Sequence, residues 1–319
     1  MPQPSPFVLE YPVLLQSLDA GQQTLLQFLQ PRYARMDKAE LSHWIDSDQI
    51  RLNGVQASAA TVLKPGQTIS ITLPGHPEDP VDTRWQLIWE NSEIMAVYKP
   101  PLLPVSRTTR NLYNTLIQLI RRQTPYYDAH LLHRLDTETS GLILIAKDKA
   151  ADKKWKKQLD TLIEQKIYHA RVYGCPAWQQ QTLECELSEQ SGSEIRSQMY
   201  VVDPARPEQF SKPKQSKTAF RVLSQTQGRS LIECQLFSGR KHQIRAQLAH
   251  LGHPIVGDKI YAHGGHYYLK RLESPLTAEE LKQLGGDHHQ LQAIRLQIRP
   301  DPDQPALTVE LPVRLRLQP

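Results

Sequence analysis

Residues 74–85 read PGHPEDPVDTRW, and this stretch constrains the organisation of the chain more than any other. Proline lacks an amide hydrogen and restricts the residue before it, so three prolines among acids stop a helix or central strand from running through. The expected division is a module at residues 1–75, a linker at 76–84 and a larger unit at 85–319. A chain of 319 residues suits about two such units.

In the first module Leu25, Leu26, Phe28 and Leu29, then Leu41, Trp44 and Ile45, recur at helical spacing. Ile50-Arg51-Leu52 precedes Asn53-Gly54, a hairpin-type turn, and Ile69, Ile71 and Leu73 alternate with polar residues as in a half-buried strand. The pattern predicts two helices followed by a small sheet. The larger unit reads as short strands at 86–89, 94–98, 142–146, 170–173, 220–223, 231–237, 294–298 and 307–311. Helical patterns fall at 112–122, 150–165 and 241–251. Strands that do not alternate strictly with helices predict an α+β fold around a mixed or antiparallel sheet.

Thirty-eight basic against 33 acidic side chains give a net charge of +5, which permits a polyanionic partner. Three cysteines with no CxxC pair argue against a disulfide scaffold or thiolate zinc cage. The first thirty residues carry no Lys or Arg, unlike a secretory or transit segment, and no apolar run approaches the ~18 residues of a membrane span. A cytoplasmic protein is the expectation.

Two segments could carry chemistry. In HLLHRLDTETSGLILIAKD, residues 130–148, a polar stretch runs abruptly into an apolar strand, a common mounting for catalytic groups. Asp136 there reads as a nucleophile or base, or else as half of an Arg–Asp pair in a solvated loop. In FSGRKHQIRAQLAHLGHPIVGD, residues 237–258, Ile244, Leu248 and Leu251 form an inward stripe ended by Gly252. Arg240, Lys241, His242 and Arg245 crowd the opening turns against the helix dipole, which points to a nearby anion or to pairing with acids of the chain.

In this order the two segments resemble the RluA-type family of pseudouridine synthases, with its HRLD…SGLLL loop and GRxHQIRxHLxxxGHPIxGDxxY segment. Three further stretches fit the family: MAVYKP at 95–100, KIYHARVYG at 166–174 and KTAFRVL at 217–223. The likeness spans about residues 85–311. The first module is similar to the S-four-like RNA-binding domain common in that family. Gln247 and Gln292 stand where the family usually has His, and residues 262–290 look like an insertion where target choice could depart.

The resemblance implies a pseudouridine-synthase fold and conversion of uridine to pseudouridine within ribosomal or transfer RNA, without cofactor or metal. It implies Asp136 as catalytic carboxylate, Arg245 as its partner, and Tyr168 against the target base. It further implies Arg134 in the space vacated by a flipped base, with Lys99 and Arg240 as phosphate contacts. RNA is the expected partner, with no membrane, no obligate protein partner and a monomer as default. Two other readings compete: a catalytically inactive RNA-binding or assembly protein on the same scaffold, and a metal hydrolase built on the histidines of 263–289. The Lys147–Lys157 run reads as a solvated helix face with i,i+4 pairs more than as an RNA track.

Overall fold

A computed structural model describes residues 7–18, 22–73 and 78–317. Strand β1 (Phe7–Pro12) precedes helices α1 (Leu25–Leu29) and α2 (Lys38–Asp46), and β2 (Ile50–Leu52), β3 (Val55–Gln56) and β4 (Thr68–Leu73) follow. Each helix is started by a side chain that satisfies a free amide: Thr24 accepts from Gln27 N at 3.2 Å and Asp37 from Glu40 N at 2.8 Å. The strands form an antiparallel sheet in the order β1-β4-β2-β3. Asn53 and Gly54 both adopt positive φ, as the hairpin requires. Strand β1 departs from the expected order of helices before sheet. Only Leu9 and Tyr11 of its side chains are buried, too few to give a periodic signal.

Residues 76 and 77 of the expected linker lie outside the described residues. The remainder is docked rather than free. The Glu78 carboxylate accepts the amides of Leu112, Tyr113 and Asn114 at 2.7–2.8 Å, and the Tyr113 ring stacks on Phe7 of β1.

The larger unit contains β5 (Gln86–Glu90), β6 (Ile94–Lys99), α3 (Leu116–Gln123), β7 (His130–Leu131), β8 (Ser140–Ala146), α4 (Lys149–Lys157), α5 (Leu159–Leu162) and β9 (Ile163–Tyr173). It continues with β10 (Gln180–Ser188), β11 (Tyr200–Val201), β12 (Lys214–Thr226), β13 (Arg229–Leu236) and α6 (Gln243–His250). Helices α7 (His266–Glu273) and α8 (Ala278–Leu284), then β14 (Leu291–Ile298) and β15 (Leu307–Glu310), complete it. The strands make one sheet in the order β11-β10-β12-β13-β9-β14-β8-β6-β5, with β15 on β14 and β7 on β8. Among the described strands β8 and β14 alone pair in parallel, so the sheet is mixed.

Both faces of this sheet are covered, which is why β8 is apolar without alternation. Ile143 and Ile145 face the core built with α3 and α6, whereas Leu142 and Leu144 face Trp155 of α4 and Leu162 of α5. The lysine run thus lies on the face away from α6. Lys156 pairs with Asp152 at 2.8 Å and Lys154 with Glu93 at 2.8 Å.

Three expected helices are shorter in the fold. The 150–165 helix breaks at Gln158 and ends at Leu162, because Ile163 enters β9 and pairs with Ile298. The 112–122 helix starts only at Leu116, after the turn held by Glu78, and the 241–251 helix spans Gln243–His250. Among the described residues no helix is long and apolar enough to cross a membrane.

Candidate active site

The loop before β8 is fixed by what surrounds it. Gly141 has φ +113°, and a Cβ there would meet the Ala293 carbonyl oxygen at 2.2 Å. Only glycine lets β8 approach β14 this closely, and Ala293 is in turn the register partner of Tyr168 on β9. From below, the ammonium of fully buried Lys99 donates to the carbonyls of Pro100, Leu103 and Thr137, each at 2.9 Å. Burial draws its pKa down to about 7. The expectation that Lys99 contacts phosphate is therefore corrected: its charge is enclosed, and it ties the loop after β6 to the loop carrying Asp136.

From the other side, α6 brings Arg245. The chain enters the helix through His242 in the left-handed region (φ +55°), and Gln243 anchors the first turn on Ser238, Arg240 N, Lys217 O and Thr218. The expected crowding of cations on the first turn is corrected as well. Arg240 and Lys241 precede the helix; Arg240 donates to Gln215 O at 2.9 Å, and Lys241 pairs with Glu189 at 2.9 Å.

Arg245 Nη1 donates to Asp136 Oδ2 at 2.8 Å. The two segments singled out by sequence thus meet at one charge pair. Arg245 is nearly buried (7%), whereas the Asp136 side chain keeps 32% exposure toward the cleft. Burial would raise the Asp136 pKa, but the guanidinium, with His242 and His289 nearby, holds it below the usual carboxylate range. Tyr168 lines the same inner pocket, its phenol pushed up by burial and by the Asp136 charge, so it stays protonated. A cleft of about 660 Å³ opens above, lined by Arg134, Arg240, Arg107 and Arg271 among others. Arg134 is exposed on its rim, and none of the described residues accepts from its guanidinium.

The sequence pattern described as RNA pseudouridylate synthase matches residues 93–250. The dual-specificity RNA pseudouridine synthase RluA of Vibrio parahaemolyticus is 34% identical over 225 residues, which cover 67% of this chain and 84% of that protein. The chain belongs to the RluA family of RNA pseudouridine synthases. Ribosomal large subunit pseudouridine synthase D of Xylella fastidiosa is 28% identical over 75% of this chain and 70% of its own length. Human RNA pseudouridylate synthase domain containing 1 shares the fold, with a TM-score of 0.56 at 22% identity over 73% of this chain and 86% of that one. The protein is thus an RNA pseudouridine synthase, an isomerase.

In this synthase several groups around the pair went unassigned in the sequence. Asp258 is fully buried and takes the Nε–Nη2 edge of Arg245 with both oxygens, Nε at 2.7 Å and Nη2 at 2.9 Å; it also accepts the amides of Ile260 and Tyr261. Burial opposes its charge, yet Arg245 brings its pKa far below the ordinary range. The available signal was its place in the Gly-Asp that ends the GHPIVGD stretch; the fold adds that a Cβ on Gly257 would strike the His288 carbonyl at 2.0 Å. His242 Nε2 stands 3.8 Å from Asp136 Oδ2, and buried His289 shares a 2.7 Å hydrogen bond with Thr139. Burial and the neighbouring Arg245 draw both imidazoles down to about 4, so they are neutral at pH 7.

The two glutamines that replace family histidines are structural. Gln247 closes a buried cluster with Thr218 and Ser216, and Gln292 donates to Leu315 O and Ser140 while accepting from Leu317 N. Among the described residues no three His, Cys, Asp or Glu side chains converge as a metal would require.

Proposed function

We propose that this synthase isomerises uridine in structured ribosomal or transfer RNA, with Asp136 as the carboxylate that acts at the sugar. In that reaction the bond from C1′ to N1 breaks, uracil turns, and a bond from C1′ to C5 forms. The C5 proton departs and N1 gains one, so nothing is exchanged with a cofactor. The observation that carries the reading is an ionised Asp136 held 2.8 Å from Arg245 and still open to the cleft. A carboxylate kept charged in a largely enclosed site can attack C1′ or stabilise positive charge developing there.

Tyr168 is assigned to pack against the uracil, its phenol kept protonated and so a hydrogen-bond donor to the base rather than the group that accepts the C5 proton. A base inside a helix is unreachable, so the uridine is extruded at a cost of a few kcal/mol, and Arg134 fills the gap. Arg240 is assigned to the phosphates. A ribosomal target is supported by the name of one relative, a synthase of the large ribosomal subunit, while another is named only as of dual specificity. We assign residues 85–319 to catalysis and the first module to a second RNA contact, in which exposed Arg35, in the turn before α2, and exposed Lys38, its first residue, supply charge.

Tritium release from total RNA labelled with [5-³H]uridine, drawn from cells lacking the gene, tests this reading whichever uridine is the target. The wild-type protein should release tritium, and Asp136→Asn should lower the rate more than about a thousandfold. Release that persists in the variant would remove Asp136 from its assigned role.

A further inference from the structure

We propose that Tyr268 and Arg271 of α7 form a second nucleotide subsite, which holds by stacking a base adjacent to the extruded uridine. The inference rests on reading the cleft as the RNA site and adds what grips the neighbour of the reacting nucleotide. Both residues line the cleft that contains Asp136. At i and i+3 they share one helix face, and the Arg271 guanidinium carbon sits 5.4 Å from the centroid of the Tyr268 ring. A ring with a guanidinium over it presents flat surface on which an unpaired base stacks whatever its sequence.

The subsite stands in fixed register with the chemistry. Glu138, two residues beyond Asp136, accepts from Lys259 at 3.0 Å and from the His289 amide at 3.1 Å. Arg271 Nη1 lies 3.6 Å from the same carboxylate, close enough for attraction and too far to consume its hydrogen bonds. The loop bearing Asp136 and the last turn of α7 are thereby tied through one acidic side chain. Extruding a uridine leaves its neighbours without a stacking partner, and a platform held at constant distance from Asp136 replaces what is lost. Arg107 and Arg134, which have no acidic partner among the described residues, extend the same lining and suit the accompanying phosphates.

The test uses the full-length protein and the [5-³H]uridine-labelled total RNA. Tyr268→Leu should raise KM about tenfold, with the single-turnover rate at saturating RNA changed less than about twofold. Tyr268→Phe keeps the ring and should restore KM. Arg271→Lys keeps the charge without the plane and should raise KM severalfold. An unchanged KM in Tyr268→Leu overturns the inference, as does a loss in which rate and melting temperature fall together. An Arg271→Lys variant indistinguishable from wild type also overturns it, marking a phosphate contact instead. If wild type releases no tritium, or Asp136→Asn releases as much, the underlying assignment falls and this one with it. An active wild type beside an indifferent Tyr268→Leu sinks the subsite alone.

Discussion

Asp258, sealed from solvent, receives two hydrogen bonds from Arg245, at 2.7 and 2.9 Å. Asp136 receives a single one from the remaining nitrogen. A planar guanidinium gripped at two nitrogens by one carboxylate cannot rotate, so Asp258 aims the group that holds the candidate nucleophile.

Replacing Asp258 by Asn should therefore cost both stability and rate. Breaking one side of a buried ion pair costs about 3–5 kcal/mol, which thermal unfolding will show as a lower melting temperature. The single-turnover rate at saturating RNA should drop at least about tenfold, while KM moves little. A variant that melts lower but turns over normally would confine Asp258 to folding.

Lys99→Met should leave three carbonyls, those of Pro100 and Leu103 buried and that of Thr137 partly so, without their donor. At about 1 kcal/mol or more for each lost bond, unfolding free energy falls by roughly 3 kcal/mol. Because Thr137 adjoins Asp136, its amide should exchange faster with solvent deuterium, and the chemical step should slow more than binding weakens. Unaltered exchange at Thr137 would count against Lys99 as a positioning residue.

Acid should weaken the fold before it touches Asp136. His242 and His289 titrate near 4 when folded, against an ordinary value near 6.5. Between those values the unfolded chain binds protons that the folded chain refuses, so stability declines as pH falls from about 6.5 to about 4. The lowered carboxyls of Asp136 and Asp258 act in a lower window: their contribution is complete above about 4 and is lost as pH falls through their folded values. Urea unfolding across pH 4.5–7.5 should reveal the first slope, and His289→Gln should flatten part of it.

Gly141→Ala should fail more severely than any of these. Its methyl would lie 2.2 Å from the Ala293 oxygen, at a φ that disfavours side chains. Loss of soluble protein, or a destabilisation above about 4 kcal/mol, is the expected result in expression and thermal-melt assays.

Local signals made part of this architecture readable. The HRLD stretch and the GRKHQIR stretch each carry their own spacing, and both delivered a side chain to the same pair. Strand β8 was legible because it is buried on both faces. Strand β10 was not: of its nine residues only Leu187 and Ser188 are buried, so no apolar alternation marks it. Lys99 misled because a lysine beside a proline loop ordinarily faces water, and only the enclosing carbonyls of Leu103 and Thr137 reveal otherwise. Asp258 closes the 237–258 segment, yet its importance comes from Arg245 on a different element, a relation that spacing along the chain does not encode.

The cluster of Asp136, Asp258 and Arg245, ringed by two uncharged imidazoles, has a consequence for how a polyanion would settle. One cation between two anions leaves this cluster beneath the cleft a surplus negative charge that Lys99, its pKa drawn down to about 7 by burial, only partly offsets, while the rim is rich in arginine. A nucleic acid drawn to that rim finds its phosphodiesters repelled from the depths. Of the parts of a nucleotide, the neutral heterocycle is the one free to descend. Which end enters first is settled by sign of charge before any contact reads the identity of the base.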